Sequence, residues 1–160
     1  MHKLLSLTAL LARLSLQRQT QYLQIDSSTD ELNLTFGSCY GLFNAESNIF
    51  ENIVGADVFV WLGDAAYFGA IAEVPVISPF YEAPEKEIVR QYAHTKMNPS
   101  YQKLLASRTK VIGVWDDHDY GTNNGDRTMP GKQRNRKYYL DFIDEPKDSE
   151  RYLDTDSPLH

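Results

Sequence analysis

Three short apolar runs divide the chain, and each leads into polar residues of unusual chemistry. Leu32, Leu34 and Phe36 alternate with polar neighbours, so Leu32–Cys39 reads as a strand with one apolar face. Val58–Leu62 is continuously apolar and Lys110–Trp115 nearly so, the pattern of strands buried on both faces. Helical spacing fills the gaps. Asn44 is placed to cap a helix whose apolar face is Ile49, Phe50, Ile53 and Val54, with Gly55 ending it. After Tyr67 comes a stretch without period that holds Pro75, Pro79 and Pro84, predicting a long surface loop. Pro84 opens a helix carrying Ile88, Val89 and Tyr92. Asn98 and Pro99 start the next, with Tyr101, Leu104 and Leu105 inward. Gly121–Gly131 is turn-rich, and a last helix carries Tyr138, Tyr139, Phe142 and Ile143 and stops before Pro146.

Strands alternating with helices predict an α/β class with a parallel or mixed sheet at its core. In such sheets ligands bind beyond the carboxyl ends of the strands. All three predicted strands end in reactive groups: Gly37-Ser38-Cys39, Gly63-Asp64, and Asp116-Asp117-His118-Asp119. Three carboxylates and an imidazole within four residues repel one another unless a cation or hydrogen-bond donors offset the charge. The bland alternative is a solvated turn with helix-capping aspartates. Asp64 at a strand end can bridge two ions, and Tyr67, three residues on, can reach the same centre as a hard phenolate. Otherwise they are a turn aspartate and a loop aromatic. Cys39 is either a small buried hydrophobe or a thiolate ligand. His118 is either a surface imidazole or a group that protonates a leaving oxygen or stabilises phosphoryl charge.

Composition narrows the partners. The 160-residue chain has ordinary apolar and aromatic content and a formal net charge of −6. Nucleic-acid binding is not expected, because it needs clustered Lys and Arg. The densest basic run, Lys132–Lys137, reads as a solvated helix face. One cysteine allows no intrachain disulfide. No apolar run is long enough for a transmembrane helix. Residues 1–25, with Lys3 ahead of the apolar stretch Leu4–Ala12 and Arg13 and Arg18 behind it, predict a signal or targeting segment. A secreted or endomembrane destination, an organelle, and an ordinary amphipathic helix are the alternatives. Residues 26–31 read as a linker, and 32–160 as the domain.

Taken together, Phe36-Gly37-Ser38-Cys39, then Trp61-Leu62-Gly63-Asp64-Ala65-Ala66-Tyr67, then Val114-Trp115-Asp116-Asp117-His118-Asp119-Tyr120-Gly121 resemble the PhoD-like alkaline phosphatases of the calcineurin-like metallophosphatase superfamily. The Asp-x-x-Tyr pattern also resembles purple acid phosphatases. The resemblance spans about Leu32 to Tyr152. It implies a sandwich of two sheets flanked by helices, of which this chain would form about the first half. It also implies hydrolysis of phosphate esters by a binuclear or multinuclear centre of ferric iron with calcium or another divalent ion. By position, Cys39 and Tyr67 would be iron ligands and Asp64 the bridging ligand. Asp117 would hold the second metal, with Asp116 a further ligand candidate. His118 would be the catalytic histidine, oriented by Asp119. The superfamily's later histidine-rich motifs have no counterpart here, so an incomplete fragment is expected. A non-catalytic copy that binds a cation or phosphate without turnover, or a structural fragment with no site, are the rivals.

Overall fold

Strand β1 (Leu34–Gly37), strand β2 (Val58–Leu62) and strand β3 (Lys110–Val114) pair in parallel in the order β1-β2-β3. The register sets Phe36 beside Val60 and Val60 beside Ile112; Gly37 lies beside Trp61, and Trp61 beside Gly113. A computed structural model describes residues 31–41, 48–53, 55–68 and 83–154. Asn33–His160 forms one unit, and Met1–Leu32 is a separate one that lies outside the described residues but for its last two. The expected targeting segment therefore lies outside them too, as do Asn44 and the proline-bearing residues 69–82.

Among the described residues, four helices follow the expected apolar spacing or close the fold: α1 (Glu85–Met97), α2 (Pro99–Leu105), α3 (Lys132–Phe142) and the single turn α4 (Glu150–Leu153). The chain is thus α/β, a three-stranded parallel sheet flanked by helices. Helix α1 buries Ile88 and Tyr92 but leaves Val89 out. Asn98 begins α2 with its side-chain oxygen accepting from Ser100 N at 2.8 Å and Tyr101 N at 3.1 Å, which satisfies two of the unpaired first-turn donors. The helix expected around Ile49 is only a 3-10 turn, Ile49–Asn52, among the described residues. Phe50 alone of that turn is buried, and Ile49 is 54% exposed.

Aromatic rings fill the space between the sheet and these helices. Trp61 reaches Phe50, Tyr101 and Phe142 at centroid distances of 5.8, 5.9 and 5.8 Å. Its indole N–H donates to Tyr101 Oη at 3.0 Å, so the polar edge of the largest core ring is satisfied. Gly113 on β3 permits this packing. A Cβ there would lie 2.5 Å from Tyr139 Oη and 2.7 Å from Trp61 Cβ. One departure concerns the basic run. Arg136 of α3 is buried rather than solvated, donating to the carbonyl of Arg151, while Lys137 beside it is exposed. The helix turns that side chain inward toward α4, a direction that a run of like charges conceals.

Candidate metal centre

The carboxyl ends of the three strands are tied together through Asp64. Its backbone N–H donates to Asp119 Oδ2 at 2.6 Å, and its carbonyl accepts from Tyr40 N at 2.9 Å. Asp119 Oδ2 also accepts from Asp116 N at 3.1 Å, and Asp119 Oδ1 accepts from Tyr92 Oη at 2.8 Å. One buried carboxylate therefore joins the end of β2, the end of β3 and helix α1. Gly63 allows the close approach, since a Cβ there would lie 2.3 Å from that of Asp116. Both Cys39 (φ 58°) and Asp64 (φ 53°) have left-handed backbones, a conformation that costs energy in non-glycine residues. It persists where surrounding contacts over-determine it, and it occurs here at two candidate ligands.

The side-chain carboxylate of Asp64 is shared in two directions. Tyr67 Oη donates to Oδ2 at 3.0 Å, and Cys39 Sγ lies 3.9 Å from the same oxygen. His118 N donates to Oδ1 at 3.3 Å. Asp64, Asp117 and His118 each place a ligand atom within 4.8 Å of the others. The His118 ring packs on Tyr67 at 4.2 Å, and Asp117 Oδ2 accepts from Asn124 N at 2.6 Å. Cys39, Asp64, Tyr67, Asp117 and His118 thus converge at one end of the sheet.

Electrostatics follow from burial. Desolvation raises the Asp64 carboxyl, against the lowering effect of the Tyr67 hydrogen bond and His118. Burial pushes the Tyr67 phenol well up, and its contacts with Cys39 and Asp64 add to the shift. Without a cation Tyr67 therefore stays a phenol that donates to Asp64. Becoming a phenolate ligand requires a positive charge at this point. Burial raises Asp119 to about 7, although the hydrogen bonds from Asp116 N, Tyr92 and Asp64 N oppose it. His118 is 5% exposed, and among the described residues its buried Nδ1 has no hydrogen-bond partner. One ring nitrogen of His118 and one oxygen each of Asp64 and Asp117 are close enough together that they could hold a metal ion.

Two other residues sit differently from their expected roles. Asp116 is exposed and forms a capping box with Asp119 around the 3-10 turn Asp117–Tyr120. It thereby takes the helix-capping role and lies outside the cluster of candidate ligands. The resemblance makes Asp119 the residue that orients His118. Its oxygens serve Asp64 N, Asp116 N and Tyr92 Oη instead, because the turn carries its side chain under the strand ends. Tyr92 and Asn124 join the site without any sign in the sequence. Tyr92 reads there as one more apolar position of a helix, and Asn124 as one of several turn residues.

No protein-family model, curated protein or solved structure matches this chain. Among the described residues no helix is long and apolar enough to cross a membrane.

Proposed function

We propose that this site belongs to a metal-dependent hydrolase of phosphate esters, built like those of the PhoD-like alkaline phosphatases. The observation that carries the reading is the two-way use of Asp64. One oxygen faces Cys39 and Tyr67, and the other faces the turn that bears Asp117 and His118. A bridging carboxylate between two cations needs this arrangement. Cys39, Asp64 and Tyr67 would hold ferric iron, for which phenolate and thiolate are suitable donors. Asp64 and Asp117 would hold a divalent ion. Such ions, when bound, neutralise the ester and lower the pKa of coordinated water. The chain's own residues fix the geometry. Asp119 holds the Asp64 backbone, Asn124 N holds Asp117, and Tyr67 buttresses the His118 ring. The fold reading extends the same way. The sheet would be one layer of a two-sheet sandwich, and the apolar face it leaves open, with Phe36 70% exposed, supports this.

A second reading is cation or phosphate binding without turnover. It rests on ligand economy, since His118 is the one histidine the described residues bring to the cluster. Metal analysis with hydrolysis of p-nitrophenyl phosphate decides. The hydrolase reading concerns the intact form, and expects in that purified protein iron and a divalent ion, turnover that is lost in Asp64→Asn, and a visible absorption band that Tyr67→Phe bleaches. Metal and phosphate bound without turnover would support the second reading. Metal content unchanged by Asp64→Asn would overturn both.

A further inference from the structure

We infer that His118 is itself a metal ligand rather than a proton donor, and that with Asp64 and Asp117 it selects a borderline transition ion such as Zn2+, Co2+ or Mn2+ over Ca2+. The inference rests on the metal-centre reading above and concerns which ion the Asp117 side takes.

A histidine that moves protons at a phosphoryl group, like one that binds a metal, normally has its far nitrogen fixed by an acceptor, and the carboxylate expected to do this for a catalytic His118 is Asp119. His118 lacks that acceptor. Among the described residues its buried Nδ1 has no hydrogen-bond partner. The neighbouring carboxylate that could have served, Asp119, is spent on Asp64 N, Asp116 N and Tyr92 Oη. The ring is nonetheless held, buried and packed on Tyr67 at 4.2 Å. One of its nitrogens lies within 4.8 Å of an oxygen of Asp64 and of Asp117. The ligand-bearing turn is pinned from several sides. His118 N donates to Asp64 Oδ1, Gly121 N closes onto the His118 carbonyl at 2.9 Å, and Asn124 N holds Asp117. A rigid, buried ring that brings one nitrogen within 4.8 Å of an oxygen of each carboxylate offers a lone pair to an ion held between them.

The donor set then decides the ion. One imidazole and two carboxylates suit Zn2+ and its neighbours, which take N and O ligands at about 2.0–2.2 Å. Calcium takes six to eight oxygens, and an imidazole in its shell is a poor substitute. The ion on the Asp117 side is therefore a transition ion, although the resemblance places calcium among the candidates.

Metal binding tests this directly, with no reliance on activity. The metal-free protein carrying Cys39→Ser, so that no thiolate competes, is titrated calorimetrically with Zn2+ and with Ca2+. Zn2+ should bind at least about 100-fold more tightly than Ca2+, and His118→Ala should weaken Zn2+ by about 100-fold or more, the upper end of what losing even an indirect metal partner costs. Ca2+ binding should change less than about threefold, because oxygens dominate its shell. In the unmutated protein the His118 ring 15N resonances should move on adding Zn2+ and stay put on adding Ca2+, a readout that does not depend on the variant folding. Zn2+ binding lost in Asp64→Asn but intact in a folded His118→Ala would overturn the ligand role and leave the metal centre standing. Zn2+ binding insensitive to both would overturn the centre as well. Preference for Ca2+ would overturn the ion assignment.

Discussion

The two faces of the sheet have the same kind of sequence and different surroundings. On one face Phe59 and Trp61 are each 1% exposed, covered by Phe50, Tyr101 and Phe142. On the other, Leu34, Phe36 and Leu62 are 51%, 70% and 46% exposed, and the register sets them among Val60, Ile112 and Val114. Val58 at the start of that face is covered, yet the carboxyl-terminal half, next to the candidate metal centre, is open. Parallel sheets are stable when both faces are buried. A contiguous apolar patch of this kind marks a surface made to be covered. The contrast shows that apolar content along a strand measures what the face can bury, while the neighbouring elements determine what it does bury.

Truncating one residue on each face should have very different effects. Trp61→Ala empties the covered face and strands the Tyr101 hydroxyl. It should cost about 3–5 kcal/mol, read as a large drop in the urea midpoint or as failure to fold. Gly113→Ala attacks the same face by overfilling it. The added Cβ meets Tyr139 Oη and Trp61, threatens the 2.6 Å bond from Tyr139 Oη to the Val114 carbonyl, and should cost about 1–3 kcal/mol in the same assay.

The covered side also buries a carboxylate, which makes stability depend on pH. Asp119 titrates near 7 in the folded protein, far above an unfolded aspartate. The native state therefore keeps a proton that the unfolded chain has already lost. Stability of the metal-free protein should fall as pH rises from the ordinary carboxylate range through about 7, by about 2 kcal/mol between roughly pH 5 and 7.5. Urea unfolding at several pH values, with Asp119→Asn flattening the curve, checks this. Smallest is the effect on the open face. Phe36→Ser should change stability by less than about 0.5 kcal/mol while reducing binding of a hydrophobic dye. A cost near that of Trp61→Ala would show that Phe36 is covered in solution and would erase the difference between the faces.

Much of the frame is legible in the order of residues along the chain. Val58–Leu62 stands as expected, Lys110–Trp115 loses one residue, and Leu32–Cys39 shortens to Leu34–Gly37. Asn98-Pro99 starts its helix as cap chemistry requires, whereas the turn that carries Phe50 ends at Asn52 with Ile53 as its cap, short of Gly55. The first strand is shorter than expected, and the segment that carries Phe50 is a 3-10 turn, Ile49–Asn52, among the described residues. The site is legible as a set of residues but not as a set of roles. Spacing along a turn of four residues says nothing about which carboxylate points out to solvent, as Asp116 does, and which points under the strands, as Asp119 does.

Residue order along the chain was enough for the α/β order, the parallel strands, the Asn98 cap and the gathering of reactive groups at strand ends. These depend on residues close together in the chain, through apolar period, cap geometry and the rule that strand ends in such sheets face the ligand. Tertiary structure alone decided the rest. Asp64 meets Cys39 across 25 residues, His118 across 54 and Asp119 across 55. The burial of His118, the raised carboxyl of Asp119, the inward turn of Arg136 and the choice of which sheet face is covered all depend on what lies nearby in space. Desolvation and hydrogen bonding act over a few ångströms, and local pattern does not reveal which distant residues will occupy that distance.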